Sequence, residues 1–238
     1  MPKIRAVIFD CYSTLIDIKT DEAKEEIFRY LPLYLQYYGA NISGADLKAA
    51  IAREKERYLQ TKTERYPEVN LEIVFKRILE KEGLDNPFLA ESCCKLFRLL
   101  SRERFQLFPD TLPVLSEMKR NRYPLAVVSD AQKVFCLNEA EILGLSQFFD
   151  HIVLSTQFGF RKPDPRLFAI ACALLNVPLA EAVYIGNDPE TDVAGAKQIG
   201  MQAILLNRKS GDKNEQIKPD FYADSLREAW EWIKSKGA

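Results

Sequence analysis

Residues Leu125–Ser155 read LAVVSDAQKVFCLNEAEILGLSQFFDHIVLS, and the texture of this stretch changes twice. Leu125–Ser129 is a short, Val-rich apolar run that stops at a polar pair. Val134–Leu143 carries apolar residues at helical spacing, and Ile152–Ser155 is again a short apolar run. A strand, a helix and a second strand in about 30 residues form a βαβ unit, whose strands lie parallel. The alternation continues outward. Apolar runs recur at Val183–Ile185 and Ala203–Leu206, with helical patterns at Leu112–Asn121, Pro165–Leu175 and Thr191–Ile199. Upstream, Ile4–Phe9 is an isolated β-branched run ending at Asp10, and it should join the same sheet.

Between that first run and the rest, Thr20–Phe105 has only helical periodicity. A helix is predicted from Thr20 to Gly39, with caps at Ser43, Asn70 and Asn86 opening three more, and no strand is expected in the stretch. The expected architecture is α/β: a Rossmann-like parallel sheet core, residues 1–17 and 107–238, with an inserted α-helical cap, residues 18–106. Such a cap would lie over the C-terminal edge of the strands, where sheets of this kind bind ligands. The aromatic run Tyr30, Tyr34, Tyr37, Tyr38 is expected to fill the cap interior or line a pocket.

Composition narrows the chemistry. Of 238 residues, 33 are basic and 34 acidic, so no positive field points to nucleic acid. No apolar stretch is long enough to span a membrane, and the N-terminus does not read as a signal peptide. Five cysteines with no C-x-x-C fit free thiols in the cytoplasm, and Cys11, Cys93 and Cys94 read as packing. The single histidine, His151, leaves acid–base work to carboxylates, Lys or Tyr.

Four strand ends carry polar groups: Asp10 with Tyr12 and Thr14; Ser129 with Asp130; Lys162 in the loop RKPDP; and Asn187, Asp188 and Asp192 in IGNDPETD. One carboxylate after a strand is commonly only a helix cap. In a parallel sheet, however, all four ends fall on one edge and can converge.

Together FDCYSTL (9–15), VVSDA (127–131), KPDPRLF (162–168) and IGNDPETDVAGAKQIGM (185–201) resemble the motifs of the haloacid dehalogenase superfamily of hydrolases, in the group whose helical cap follows the first motif. The resemblance implies that Asp10 attacks the substrate to form a covalent aspartyl intermediate, which water cleaves. It casts Lys162 as the group that neutralises charge, with Ser129, Asp130 and Thr14 binding substrate or fixing the loop.

The pattern breaks at Tyr12, where most phosphatases of the superfamily carry a second Asp as acid and base. Tyr12 can donate a proton but is a poor base at neutral pH. L-2-haloacid dehalogenases also carry Tyr there, since halide leaves without a proton. The fourth motif points the other way. Asp188 and Asp192 beside Asp10 would crowd three carboxylates together and call for a cation, and hard oxygen ligands suit Mg²⁺. The resemblance then implies a site made of Asp10, the Tyr12 carbonyl and an acid or amide among Asn187, Asp188 and Asp192. The cap also lacks the dehalogenase aromatic-Arg-Gln stretch, with Arg29 the only stand-in. Three readings stay open: a Mg²⁺-dependent hydrolase of a small phosphorylated molecule, a metal-independent 2-haloacid dehalogenase, or a non-catalytic member.

Overall fold

The computed structural model describes residues 3–208 and 217–237. Six parallel strands form the central sheet: β1 (Ala6–Phe9), β4 (Leu125–Ser129), β5 (His151–Leu154), β6 (Ala182–Gly186), β7 (Gln202–Leu206) and β8 (Phe221–Ala223). Their order is β5-β4-β1-β6-β7-β8. Counted by core strands alone this is 3-2-1-4-5-6, the doubly wound order, with β1 at the point where the winding reverses. The α/β reading therefore holds. Five of the six strands fall on the expected apolar runs; β8 is too short to leave a sequence signal.

Alternation along each strand sends side chains to two cores. Val7 and Phe9 of β1 pack with Val114, Met118 and Trp230 of α5 (Thr111–Arg120) and α10 (Leu226–Gly237). Ala6 and Ile8 pack on the other face with Leu167, Phe168 and Ala196 of α8 (Pro165–Leu175) and α9 (Ala194–Gln198). All four β1 residues are fully buried, as expected for a parallel strand covered on both sides. On the first of these faces, α6 (Lys133–Ile142) follows β4 and brings Cys136 and Ala140 into the core; the short α7 (Ser155–Phe158) follows β5.

Four helices, α1 (Glu25–Tyr37), α2 (Gly44–Gln60), α3 (Leu71–Lys81) and α4 (Pro87–Ser101), enclose a separate core that includes Leu31, Leu47, Phe75 and Phe97. The caps at Ser43, Asn70 and Asn86 form as read: each side chain accepts main-chain N–H groups of its helix's first turn.

Three expectations fail in this unit. The stretch is not wholly helical, because β2 (Ile16–Thr20) and β3 (Arg102–Leu107) pair antiparallel at its base. The expected boundaries at 17/18 and 106/107 thus fall inside paired strands. Helix α1 starts at Glu25 rather than Thr20, whose place is the end of β2. Of the tyrosines only Tyr34 packs against the interior. Ile27, Leu31 and Leu35 face it, while Tyr37 is 84% exposed and Tyr30 and Tyr38 are exposed too.

The helical unit is tied to the sheet domain by main-chain and side-chain bonds. Glu68 N–H donates to Gly159 O and Arg161 N–H to Tyr66 O, each over 3.0 Å or less. The Gln132 side chain accepts from Leu71 N–H and donates to Val69 O. Among the described residues, no helix is long and apolar enough to cross a membrane.

Candidate active site

Asp10, Ser129 and Asn187 sit at the C-terminal ends of β1, β4 and β6, three adjacent strands flanking the reversal point. Lys162 reaches the same place from the loop before α8. Its Nζ lies 2.8 Å from Asp10 Oδ1 and 2.6 Å from Asp192 Oδ1. Ser129 Oγ donates to the same Asp10 oxygen over 3.0 Å. Thr14 Oγ1 lies 3.3 Å from Asp10 Oδ2 and 3.0 Å from Asn187 Oδ1, so two acceptor oxygens gather around one hydroxyl.

Local geometry explains how the loop after β1 accomplishes this. Leu15 and Ile16 N–H both bond back to Cys11 O. Ser13 takes φ +62°, the left-handed region that side chains other than Gly, Asn and Asp seldom occupy. That turn folds Thr14 back over Asp10. Arg208 holds the loop from outside: its Nε donates to Thr14 O over 3.3 Å while its guanidinium pairs with Asp110.

Lys162 is 4% exposed and Asp192 1%. Burial alone would lower the ammonium's pKa, but the charges of Asp10 and Asp192 outweigh it and hold Lys162 well above its usual range. The buried triad is therefore Lys⁺ between two carboxylates, with Tyr184 Oη, 3.1 Å from Nζ, donating to Val128 O. Removing a partner from such a group is costly, because the remaining charge stays out of water.

In the fourth motif both oxygens of Asp192 are engaged by protein groups: Oδ1 takes Lys162 Nζ, and Oδ2 accepts Asn187 and Asp188 N–H at 2.9 and 3.0 Å. Asp192 does not cap a helix. Asp188 does, accepting Glu190 and Thr191 N–H at the start of the π-helical turn Pro189–Val193 that leads into α9. The crowding of Asp10 and Asp192 is relieved by Lys162. Gly186 makes room for this arrangement, since a Cβ there would lie 2.2 Å from Asp192 Oδ2. Of the oxygens expected to hold a cation, Asp10 Oδ2 and Asn187 Oδ1 are brought together on the Thr14 hydroxyl. Among the described residues no group of three or more His, Cys, Asp or Glu gathers into a metal cluster. Such a sparse set suits Mg²⁺, which keeps several waters and takes few protein ligands.

The Tyr12 side chain is turned away from acid–base work. Its hydroxyl donates to Glu139 Oε2 over 2.5 Å, and burial pushes its pKa far up. Arg98 of α4 clasps the same carboxylate of α6 with Nε and Nη2 at 2.8 and 3.0 Å, and lies over the Tyr12 ring. Arg98, Glu139, Tyr184, Arg208 and Glu68 escaped the sequence reading; each lies mid-element or in a loop outside the strand-end motifs. Arg29 is exposed and stacks on Tyr30 instead of entering the site.

Asp130 accepts Lys162 N–H over 2.9 Å. Its carboxyl is pushed up to about 7, chiefly by burial, with Lys162 opposing and Glu68 and Asp10 adding to the rise. It borders a cavity of about 280 Å³ between sheet domain and helical unit, whose walls include Tyr12, Glu68, Arg98 and Phe135. Cys11 lies 3.9 Å from the Cys136 sulfur, and that contact and burial raise its thiol well above the usual range, as befits packing.

A family model described as haloacid dehalogenase-like hydrolase matches residues 4–200. The chain belongs to this hydrolase family. It is 30% identical over 159 residues to a phosphoserine phosphatase of Thermus thermophilus, an alignment covering 67% of this chain and 63% of that protein, so it spans less than two thirds of that relative. It is 27% identical over 222 residues to a glyceraldehyde 3-phosphate phosphatase of Methanopyrus kandleri, covering 91% and 83%. Among solved structures, a 2-haloacid dehalogenase from Pseudomonas syringae pv. Tomato DC3000 superimposes with a TM-score of 0.74, 24% identity and coverage of 99% and 100%. At that identity the likeness concerns the fold.

Proposed function

We propose that this hydrolase cleaves a small phosphorylated molecule through an aspartyl-phosphate on Asp10, with the helical unit as substrate-selecting cap. The observation that carries the reading is the division of labour at Asp10. Lys162 and Ser129 both bind Oδ1, while Oδ2 shares the Thr14 hydroxyl with Asn187 Oδ1. Lys162 and Ser129 orient the carboxylate and balance charge on the incoming group. Asp10 and Asn187, with the Tyr12 carbonyl, would hold Mg²⁺, which would offset the negative charge of the substrate. Asp192 keeps Lys162 in place, and Asp188 fixes the turn that presents Asn187. The phosphatase relatives support the same class of substrate.

Dehalogenation is the second reading. It is favoured by the engagement of the Tyr12 hydroxyl with Glu139, which leaves that position without an acid to protonate a leaving alkoxide. Against it stands Arg98, which a substrate carboxylate would have to win from Glu139. A paired assay separates the two: phosphate release from an aryl phosphate with Mg²⁺ or with EDTA, beside halide release from L-2-chloropropionate. The proposal expects phosphate release that EDTA abolishes and no halide release. Halide release unaffected by EDTA, without phosphate release, would replace it with the dehalogenase.

A further inference from the structure

Hydrolysis of an aspartyl-phosphate needs a group that takes a proton from the attacking water. The Tyr12 hydroxyl is committed to Glu139, and Lys162, a buried cation, has no lone pair to offer. We propose that Asp130 is the general base of this step. The inference rests on the reading of Asp10 as nucleophile.

The placement of Asp130 supports the role. It directly follows Ser129, whose Oγ is 3.0 Å from Asp10 Oδ1, so it lies at the same strand end as the reacting carboxylate and feels its charge. One oxygen of Asp130 accepts Lys162 N–H over 2.9 Å, which fixes the carboxyl. The residue also borders the cavity of about 280 Å³, where a substrate and a water can be held.

The charged neighbours suit a base that works near neutrality. The charges that act on it are Lys162, Asp10 and, from the helical unit, Glu68. Of the other cations lining the cavity, Arg98 and Lys55 are paired with Glu139 and Glu22. Burial and the two like charges prevail over Lys162, so the carboxyl changes state at about 7, where a general acid–base group is most effective.

In the step itself the water oxygen bonds to phosphorus as the bond from phosphorus to the Asp10 oxygen breaks. The electron pair of that bond returns to Asp10 as carboxylate, and the water proton passes to Asp130. Phosphate departs, and Asp130 releases the proton to solvent.

The test uses 4-nitrophenyl phosphate, whose leaving group needs no proton, so only the second half-reaction calls on Asp130. Asp130→Asn preserves the acceptor for Lys162 N–H while removing the base. It should lower kcat by about 10²-fold or more. Nitrophenolate should appear in a burst near one equivalent per enzyme, with phosphate retained on Asp10 in the acid-quenched protein. Unchanged kcat without a burst overturns the proposal. A measurement on the unmodified protein is independent of the variant's folding: kcat should rise with pH through about 7. A flat profile across that range also overturns the assignment. Turnover with no phosphate on Asp10 in either protein would instead refute the nucleophile, and this inference with it. Labelled wild type with unimpaired Asp130→Asn refutes Asp130 alone.

Discussion

Gly186 shows how much of the site depends on one absent methyl group. Asp192 folds back against the end of β6 so closely that its carboxylate can serve Asn187 N–H, Asp188 N–H and Lys162 together. Gly186→Ala places a carbon 2.2 Å from that carboxylate, so the side chain must leave. Lys162 then loses one of its two buried carboxylate partners. The expected result is a loss of stability above about 2 kcal/mol by urea unfolding, with turnover reduced at least about tenfold. Wild-type stability in this variant would mean that Asp192 does not hold Lys162. At this scale the sequence marked Asp10, Ser129, Lys162 and Asn187 as side chains that can converge, and the structure gathers them, because motifs at strand ends fix position. It did not reveal that Asp192 belongs to Lys162, since spacing alone does not say which way a side chain folds back.

Among the elements, α4 and α6 meet through Arg98 and Glu139, and the Tyr12 hydroxyl closes the group from the loop after β1. Glu139 is 3% exposed and Arg98 is its nearest cation, with Arg102 more distant at 3.7 Å. Arg98→Ala leaves that carboxylate buried against a phenol and a weak second cation. It should cost about 3–5 kcal/mol in denaturant unfolding. A cost below about 1 kcal/mol would show that the pair is not the tie between the helical unit and the sheet domain. The helices of that unit were legible from their caps and periodicity. The ribbon of β2 and β3 was not, although IDIKT and RFQL alternate with period two. Each run is short, charged and adjoined by helical pattern, and only their pairing across about 80 residues makes them strands.

For the whole molecule, the parallel sheet was readable because βαβ alternation and the strand order it permits leave few alternatives. The electrostatic state of the site was not, because it depends on burial. Asp130 would titrate at its ordinary value of 3.8 when unfolded and at about 7 in the fold. Between those values the folded chain keeps a proton that the unfolded chain has lost. Its contribution to stability therefore falls as pH rises through this window, and the penalty is complete above about 7. Asp130→Asn should raise Tm at pH 8, with the gain disappearing by about pH 4. A gain that persists at low pH would place its origin elsewhere.

The most direct test of the central claim is to quench the enzyme in acid during turnover of an aryl phosphate with Mg²⁺ and to map covalent phosphate by peptide mass spectrometry. Phosphate is expected on Asp10 in the wild type, and neither label nor turnover in Asp10→Asn. Full turnover by Asp10→Asn, or phosphate mapped to another residue, would contradict it.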